Sequence, residues 1–198
     1  MKISLNKAPR YAAFTLIEMI GVLAVIAILA SLLIPKILNA INDSRINNTV
    51  LSYNTMKTAV MDHYGKYGSF TATTNGAAIS AQSLTNYATP LLVEGLIDKP
   101  FFTKIGTNSF VQVLQSTSVP GYDLDGDGAN DVSTANATVL VEAIISGVSY
   151  SDAKDVNDRL DGATGNFIFP ASGTDDTKGR VQYLSAGGGT LRIYIGHR

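Results

Sequence analysis

Residues 14–34 read FTLIEMIGVLAVIAILASLLI, an apolar run in which Glu18 is the one charged side chain. As a helix rising about 1.5 Å per residue, such a run reaches roughly 31 Å, one bilayer hydrocarbon core. From residue 36 to about 67 the apolar pattern becomes one-sided. Ile46, Val50, Tyr53, Val60 and Tyr64 recur at helical spacing, with Met56, Lys57 and Met61 between them. Asn39, Asn42, Asp43, Arg45, Asn47 and Asn48 fill the other face. This predicts a continuation of the same helix, with its stripe turned to a core, ended by Gly65 and Gly68. Residues 69–83, rich in Thr, Ala, Ser, Asn and Gly, read as a loop, and 83–95 as a short helix and turn. Strand-like runs follow at 109–115, 137–145, 166–169, 180–184 and 190–195. Alternation is clearest at Val181 and Tyr183, and at Leu191, Ile193 and Ile195. The link 185–189, SAGGG, reads as a hairpin loop, and residues 151–160 as a short helix ending near Gly162. The expected class is α+β. A long N-terminal helix, half transmembrane and half amphipathic, packs on a small C-terminal antiparallel sheet.

Glu18 is the anomaly in this pattern. An ionised carboxylate near the middle of a bilayer costs roughly 2.5–3.5 kcal/mol or more, so it needs a partner. The preceding residues, 1–13, carry Lys2, Lys7 and Arg10 and no acid. The positive-inside rule therefore holds them on the cytoplasmic side and sends the rest outward. An ordinary secretory signal would be shorter, free of acids and followed by a small-residue cleavage site. Here Pro35 and Lys36 follow the run, while Ala12 and Ala13 precede it. A plain anchor explains the length but not Glu18. A leader cut before the apolar segment explains both.

A basic leader, a small residue and then Phe14-Thr15-Leu16-Ile17-Glu18 ahead of an apolar helix resembles the signal of type IV pilins and type II secretion pseudopilins. The resemblance covers about residues 8–40. It implies cleavage by a membrane prepilin peptidase between Ala13 and Phe14 and methylation of the new Phe14 amine. Glu18 and Pro35 then stand at positions the family favours. Ala13 departs from the Gly usual there. The family's assembly contact pairs the Glu18 carboxylate of one subunit with the Phe14 nitrogen of a neighbour. It also implies unwinding of the helix near Pro35 in assembled filaments, where proline removes a backbone hydrogen bond and predicts a kink or local melting. Gly21, Ala24, Ala27, Ala30 and Ser31 add small residues at three- and four-residue spacing, which permits close helix approach in lipid.

Formal net charge is −1, so no basic field points to nucleic acid. With no cysteine, disulfides, cysteine–zinc sites and thiol catalysis are excluded. His63 and His197 are single and distant, His63 reading as a surface or packed side chain of the helix. No phosphate loop, metalloprotease signature or Ser/His/acid arrangement occurs, so an enzyme is not expected.

The second informative string is 123–131, DLDGDGAND. Asp123, Asp125, Asp127 and Asp131 stand at positions 1, 3, 5 and 9, with Gly128 at position 6, as in the front of an EF-hand-type loop. Thr134 occupies position 12 in place of a bidentate Glu, so a further acid such as Asp152 or Asp155 would have to come from folding. Four clustered carboxylates repel one another without a cation, which favours calcium over a plain acidic turn. The resembled family includes members that use calcium where others use a disulfide.

The chain therefore divides into a leader (1–13), a transmembrane and assembly helix (14–35), its amphipathic continuation (36–68) and an extracytoplasmic α+β domain (69–198). The expected function is a structural subunit that polymerises into a type IV pilus or a secretion pseudopilus. The expected partners are copies of itself, in a homopolymer or mixed filament, together with prepilin peptidase, an inner-membrane assembly platform and the membrane. The precursor would sit in a bacterial inner membrane with its N-terminus cytoplasmic, and then in a periplasmic or cell-surface filament. A major pseudopilin serving protein export, and a membrane-anchored binding module, are the alternatives.

Overall fold

The computed structural model describes residues 14–71, 86–115, 120–163 and 165–198. The chain forms two compact units, divided between Asn42 and Asp43. The leader and most of the loop expected at 69–83 lie outside the described residues.

Helix α1 is Leu16–Tyr67. In the first unit its large apolar side chains are exposed on every side, from Leu16 at 77% to Ile41 at 51%. A helix apolar all round with nothing packed on it is matched to an apolar solvent rather than to water. It is long and apolar enough to cross a membrane by length and composition. The helix runs through Pro35 without local melting, one of the two outcomes expected there. The proline ring removes one donor, that for the Ser31 carbonyl, and the other helical bonds hold the run together. The Ser31 hydroxyl turns back to the Ile28 carbonyl at 2.8 Å.

In the second unit α1 becomes one-sided. Ile46, Thr49, Tyr53, Met56, Ala59, Val60 and His63 are buried. Spacings of three and four residues keep them on one face. Thr49, Met56 and His63 thus complete the stripe, while Val50 and Tyr64 lie at its margin, half-buried. The helix ends at Gly68, whose φ of 65° and N–H bond to the Tyr64 carbonyl at 2.7 Å form a left-handed terminus.

Four strands make an antiparallel sheet: β1 Asn108–Gln115, β2 Val139–Ser146, β3 Val181–Leu184 and β4 Thr190–His197. Their order is β1-β2-β4-β3. Alternation sorts the side chains onto two faces. Val111, Val113, Val141, Ala143, Ile145, Val181, Leu191, Ile193 and Ile195 join the α1 stripe in the main core. Tyr53 also donates from α1 to the Tyr194 carbonyl at 2.6 Å. Close approach requires Gly196, where a Cβ would lie 2.7 Å from the Met61 methyl. Helix α2 (Ala88–Val93) adds Tyr87, Ala88 and Leu91 to this core, and α3 (Tyr150–Leu160) adds Ala153 and Val156. The Ser149 hydroxyl caps α3 by accepting from Asp152 N at 3.2 Å.

The opposite face carries a smaller core of Leu114, Tyr122, Val132, Ala137 and Leu140. Among them sits Glu142, fully buried. Arg192 donates to both its oxygens, at 2.9 and 3.0 Å from Nη2, Gln112 donates at 2.6 Å and the Tyr122 hydroxyl at 2.6 Å. A carboxylate in this setting without its cation would cost roughly 3–5 kcal/mol, so Arg192 and Glu142 are held as a unit.

Residues 166–169 do not form the expected strand. Gly165–Phe167 is a turn of 3-10 helix instead. The neighbouring sheet edge, β3, is already engaged, because Asp176 and Tyr183 exchange backbone bonds at 2.7 and 2.9 Å. The segment is tied to α3 by Asn157 Nδ2 to the Phe167 carbonyl at 3.2 Å and by Tyr150 Oη to the Pro170 carbonyl at 2.6 Å.

The Asp176 carboxyl is pushed up to about 6, first by burial and then by the nearby Asp161 charge, against the pull of Lys178. The folded chain thus holds this proton more tightly than the unfolded chain does. Its contribution to stability is full below about pH 4 and is lost as pH rises through about 6. Asp176→Asn should remove that loss. The melting temperature of the variant, relative to the parent, should rise between pH 4 and 7, and parallel curves would refute the assignment.

Candidate functional site

Two places carry the residues singled out above, and each is built by local sequence. The first is the start of α1. Thr15 precedes the first helical residue, where four backbone N–H groups lack helical acceptors. Glu18 answers this shortage. Its Oε2 accepts from Thr15 N at 2.8 Å and from the Thr15 hydroxyl at 2.7 Å. Glu18 N points back to the Thr15 hydroxyl at 3.3 Å. This is a capping box, and its signature, Thr followed three residues later by Glu, stands in the sequence. The carboxylate therefore has a local role that the apolar pattern did not disclose. Phe14, 81% exposed, and Glu18 border a shallow groove along the helix with Gly21, Val22 and Val25. Ala13 lies outside the described residues, and Pro35 lies five helical turns further along α1.

The second place is the acidic loop. Tyr122 and Val132 exchange backbone bonds at 2.9 and 3.1 Å and close its neck. Asp123 is buried, its Oδ1 accepting from Gly126 N at 2.7 Å and its Oδ2 from Gly128 N at 2.9 Å. Gly126 and Gly128 both have positive φ, 78° and 97°, which the tight winding needs. Asp131 Oδ2 accepts from Leu124 N at 2.7 Å and Asp125 N at 3.2 Å. One carboxylate oxygen from each of Asp123, Asp125 and Asp131 lies within 4.8 Å of the others. Asp127 stands outside this group and accepts from Ala129 N at 2.7 Å. Asp152 is engaged elsewhere, 3.7 Å from Arg45.

The loop is held from several sides. Gly179 N donates to the Asp123 carbonyl at 2.7 Å, Lys178 Nζ to the Gly126 carbonyl at 3.3 Å and Gln182 Nε2 to the Gly121 carbonyl at 2.7 Å. Through Tyr122 it reaches the buried Glu142–Arg192 pair. Burial and the Glu142 charge push the Tyr122 phenol up, so it remains a donor. None of these supports was visible in sequence, because their residues lie 20 to 61 positions from the groups they hold.

A third polar pair emerged on the far end of α1. His63 Nδ1 and Glu94 Oε2 are 2.7 Å apart with both side chains buried. His63 is thus a packed residue, as one of its two expected readings has it, and its partner comes from the residue that follows α2.

Comparison with curated proteins and with solved structures gave no match. A family model does match at the N-terminus: residues 9–34 correspond to the prokaryotic N-terminal methylation motif, the signal of type IV pilin and pseudopilin precursors. That span contains Ala13, Phe14 and Glu18 and ends one residue before Pro35. With the apolar helix behind it, the motif points to a membrane-anchored precursor of pilin-like type.

Proposed function

We propose that this chain is a structural subunit. Prepilin peptidase cuts it between Ala13 and Phe14 and methylates Phe14, and it then polymerises through its N-terminal helix into an extracytoplasmic filament. The observation that carries this reading is the methylation motif over residues 9–34, with an acid at the fifth residue after the cut. Cleavage creates an ammonium at Phe14. A carboxylate unpaired in lipid is costly, and one paired with a neighbour's ammonium fixes register. Thr15 already occupies Glu18 Oε2, and the second oxygen is left for the neighbour. The growing filament would take subunits from the inner membrane with the help of an assembly platform, and its length would lie in the periplasm or at the cell surface.

The acidic loop and the absence of cysteine favour the pseudopilin variant of this reading, a major subunit serving protein export. Asp123, Asp125 and Asp131 offer closely spaced hard oxygens, the donor type calcium selects. We assign calcium to these three residues. It would screen their mutual repulsion and clamp the segment between Tyr122 and Val132, the task a disulfide would otherwise perform.

Mass spectrometry of the mature chain should find methylated Phe14 at its N-terminus, and an intact Met1 would overturn the filament reading. Glu18→Ala should insert in the membrane as the parent does yet lose assembly. Normal filaments from that variant would refute the pairing.

Calorimetry should detect calcium binding with a Kd of about 10⁻⁴–10⁻³ M, as for extracellular modules of this kind. Asp123→Ala should abolish it. At 100 times the Kd, calcium should raise unfolding free energy by about 2.7 kcal/mol. A melting temperature unmoved by calcium or chelator would remove the metal from the reading.

A further inference from the structure

We propose that His63 and Glu94 form a proton-dependent latch that holds α2 on the end of α1, closed while the two side chains share one proton and opened when that proton is lost or a second is gained. The latch belongs to the second unit, beyond the methylation motif, and does not rest on the filament reading.

Local structure fixes both residues. His63 is the last member of the buried stripe of α1, and Glu94 is the first residue past α2. Glu94 N closes α2 on the Pro90 carbonyl at 3.0 Å, and Gly95 N and Leu96 N follow on Leu92 and Leu91 at 3.1 and 3.0 Å. Gly95 supplies the positive φ, 71°, at this helix end. Nδ1 of His63 and Oε2 of Glu94 then meet at 2.7 Å, with 0% and 1% of the two side chains exposed. A glutamate is almost never buried this fully without a partner.

The surroundings are aromatic. The Tyr67 ring lies 4.9 Å from the His63 ring, and the Tyr87 ring 5.7 Å away, edge-on. The Tyr87 hydroxyl donates to the Phe70 carbonyl at 2.5 Å. Burial, and then the Glu94 charge, push the Tyr87 phenol up, so it stays neutral. His63 Nε2, Glu94 Oε1 and Tyr67 Oη are buried as well, and none has a hydrogen-bond partner among the described residues. The charged residues of the same helical turn, Asp62 and Lys66, are exposed, with Lys66 Nζ 5.0 Å from the centre of the Tyr67 ring. Water screens both of these charges, so the buried pair has to balance its own.

With one proton between them the two groups are neutral in sum, either as imidazolium and carboxylate or as imidazole and carboxylic acid. With none, a lone carboxylate remains; with two, a lone imidazolium. Either net charge is costly at this depth, whereas the opened chain carries it in water. The two groups therefore titrate as a pair. In alkali the closed form holds one proton more than the open form, so closure weakens as pH rises. In acid it holds one fewer, so closure weakens as pH falls. Each limb is limited to about tenfold per pH unit, the bound for a single proton. The element released is small, since α2 has six residues and the seam between α1 and the sheet does not pass through it.

The test is hydrogen exchange of the full chain in its membrane, between about pH 4 and about pH 9, a range that spans ordinary carboxyl and imidazole titration. Mass spectrometry follows the peptide holding the Glu94, Gly95 and Leu96 amides, corrected for the intrinsic effect of pH. An Asp176→Asn background removes the other buried acid from the profile. Protection of this peptide should pass through a maximum and fall severalfold on both sides, and the amides of β2 and β4 should not follow it. Two conservative variants split the limbs. Glu94→Gln leaves the imidazole alone, so protection should fall only towards acid. His63→Gln leaves the carboxyl alone, so protection should fall only towards alkali. Packing alone would give neither slope. A parent profile without a maximum, single variants that slope the same way, or β2 and β4 amides that fall in step with the peptide would each overturn the latch.

Discussion

The burial of one face of α1, from Ile46 to His63, is the constraint on which the rest of the second unit depends. A helix cannot bury its own stripe, and an isolated four-stranded sheet cannot bury its own apolar face. Tyr53 and Met56 on one side, and Val141, Ala143, Leu191 and Ile193 on the other, solve both problems at once. Fully burying each large side chain is worth about 1.5–3 kcal/mol, so this seam outweighs any single polar contact in the unit. The requirement for close approach then dictates Gly196, and the requirement to stop at the sheet dictates the left-handed Gly68.

The same helix meets a different requirement in its first unit. There the large apolar residues ring the whole circumference and are exposed among the described residues. The change from an all-round pattern to a stripe is a change in what each half suits, an apolar solvent for the first and a protein core for the second. Hydrogen bonding within the helix is independent of that change, which is why one element serves both. Glu18 fits this picture by closing the helix start with Thr15, a place where polar groups are in surplus.

Much of this was legible from periodicity. The long helix, α3 with its end near Gly162, and four of the five strand-like runs follow from spacings of 3.6 and 2. The run at 166–169 looked like a strand because four residues cannot distinguish a strand from a turn, and the sheet edge that would have paired it is taken by Asp176. The methylation signal was legible because its residues are contiguous. The acidic loop was legible for the same reason, but its supports were not. Tyr122, Glu142, Arg192 and Lys178 converge from four separate segments, and a side chain such as Glu142 looks like an ordinary exposed strand residue until the second face of the sheet is covered. The pairing of His63 with Glu94 was hidden likewise, since the two are 31 residues apart and belong to no motif.

The strand order β1-β2-β4-β3 places β4 inside the sheet, between β2 and β3. A chain made from its N-terminus therefore acquires this central strand after β1, β2 and β3 have all emerged. Until then β2 shows an open edge, and β3 has neither its long partner nor its share of the main core. The inner face of the sheet cannot close over α1 one strand at a time. Pairing across such separations carries a loop-closure cost before any contact repays it, so assembly of this unit is a late, all-or-none event in time. A protein built this way spends its synthesis as a finished helix beside an unfinished sheet.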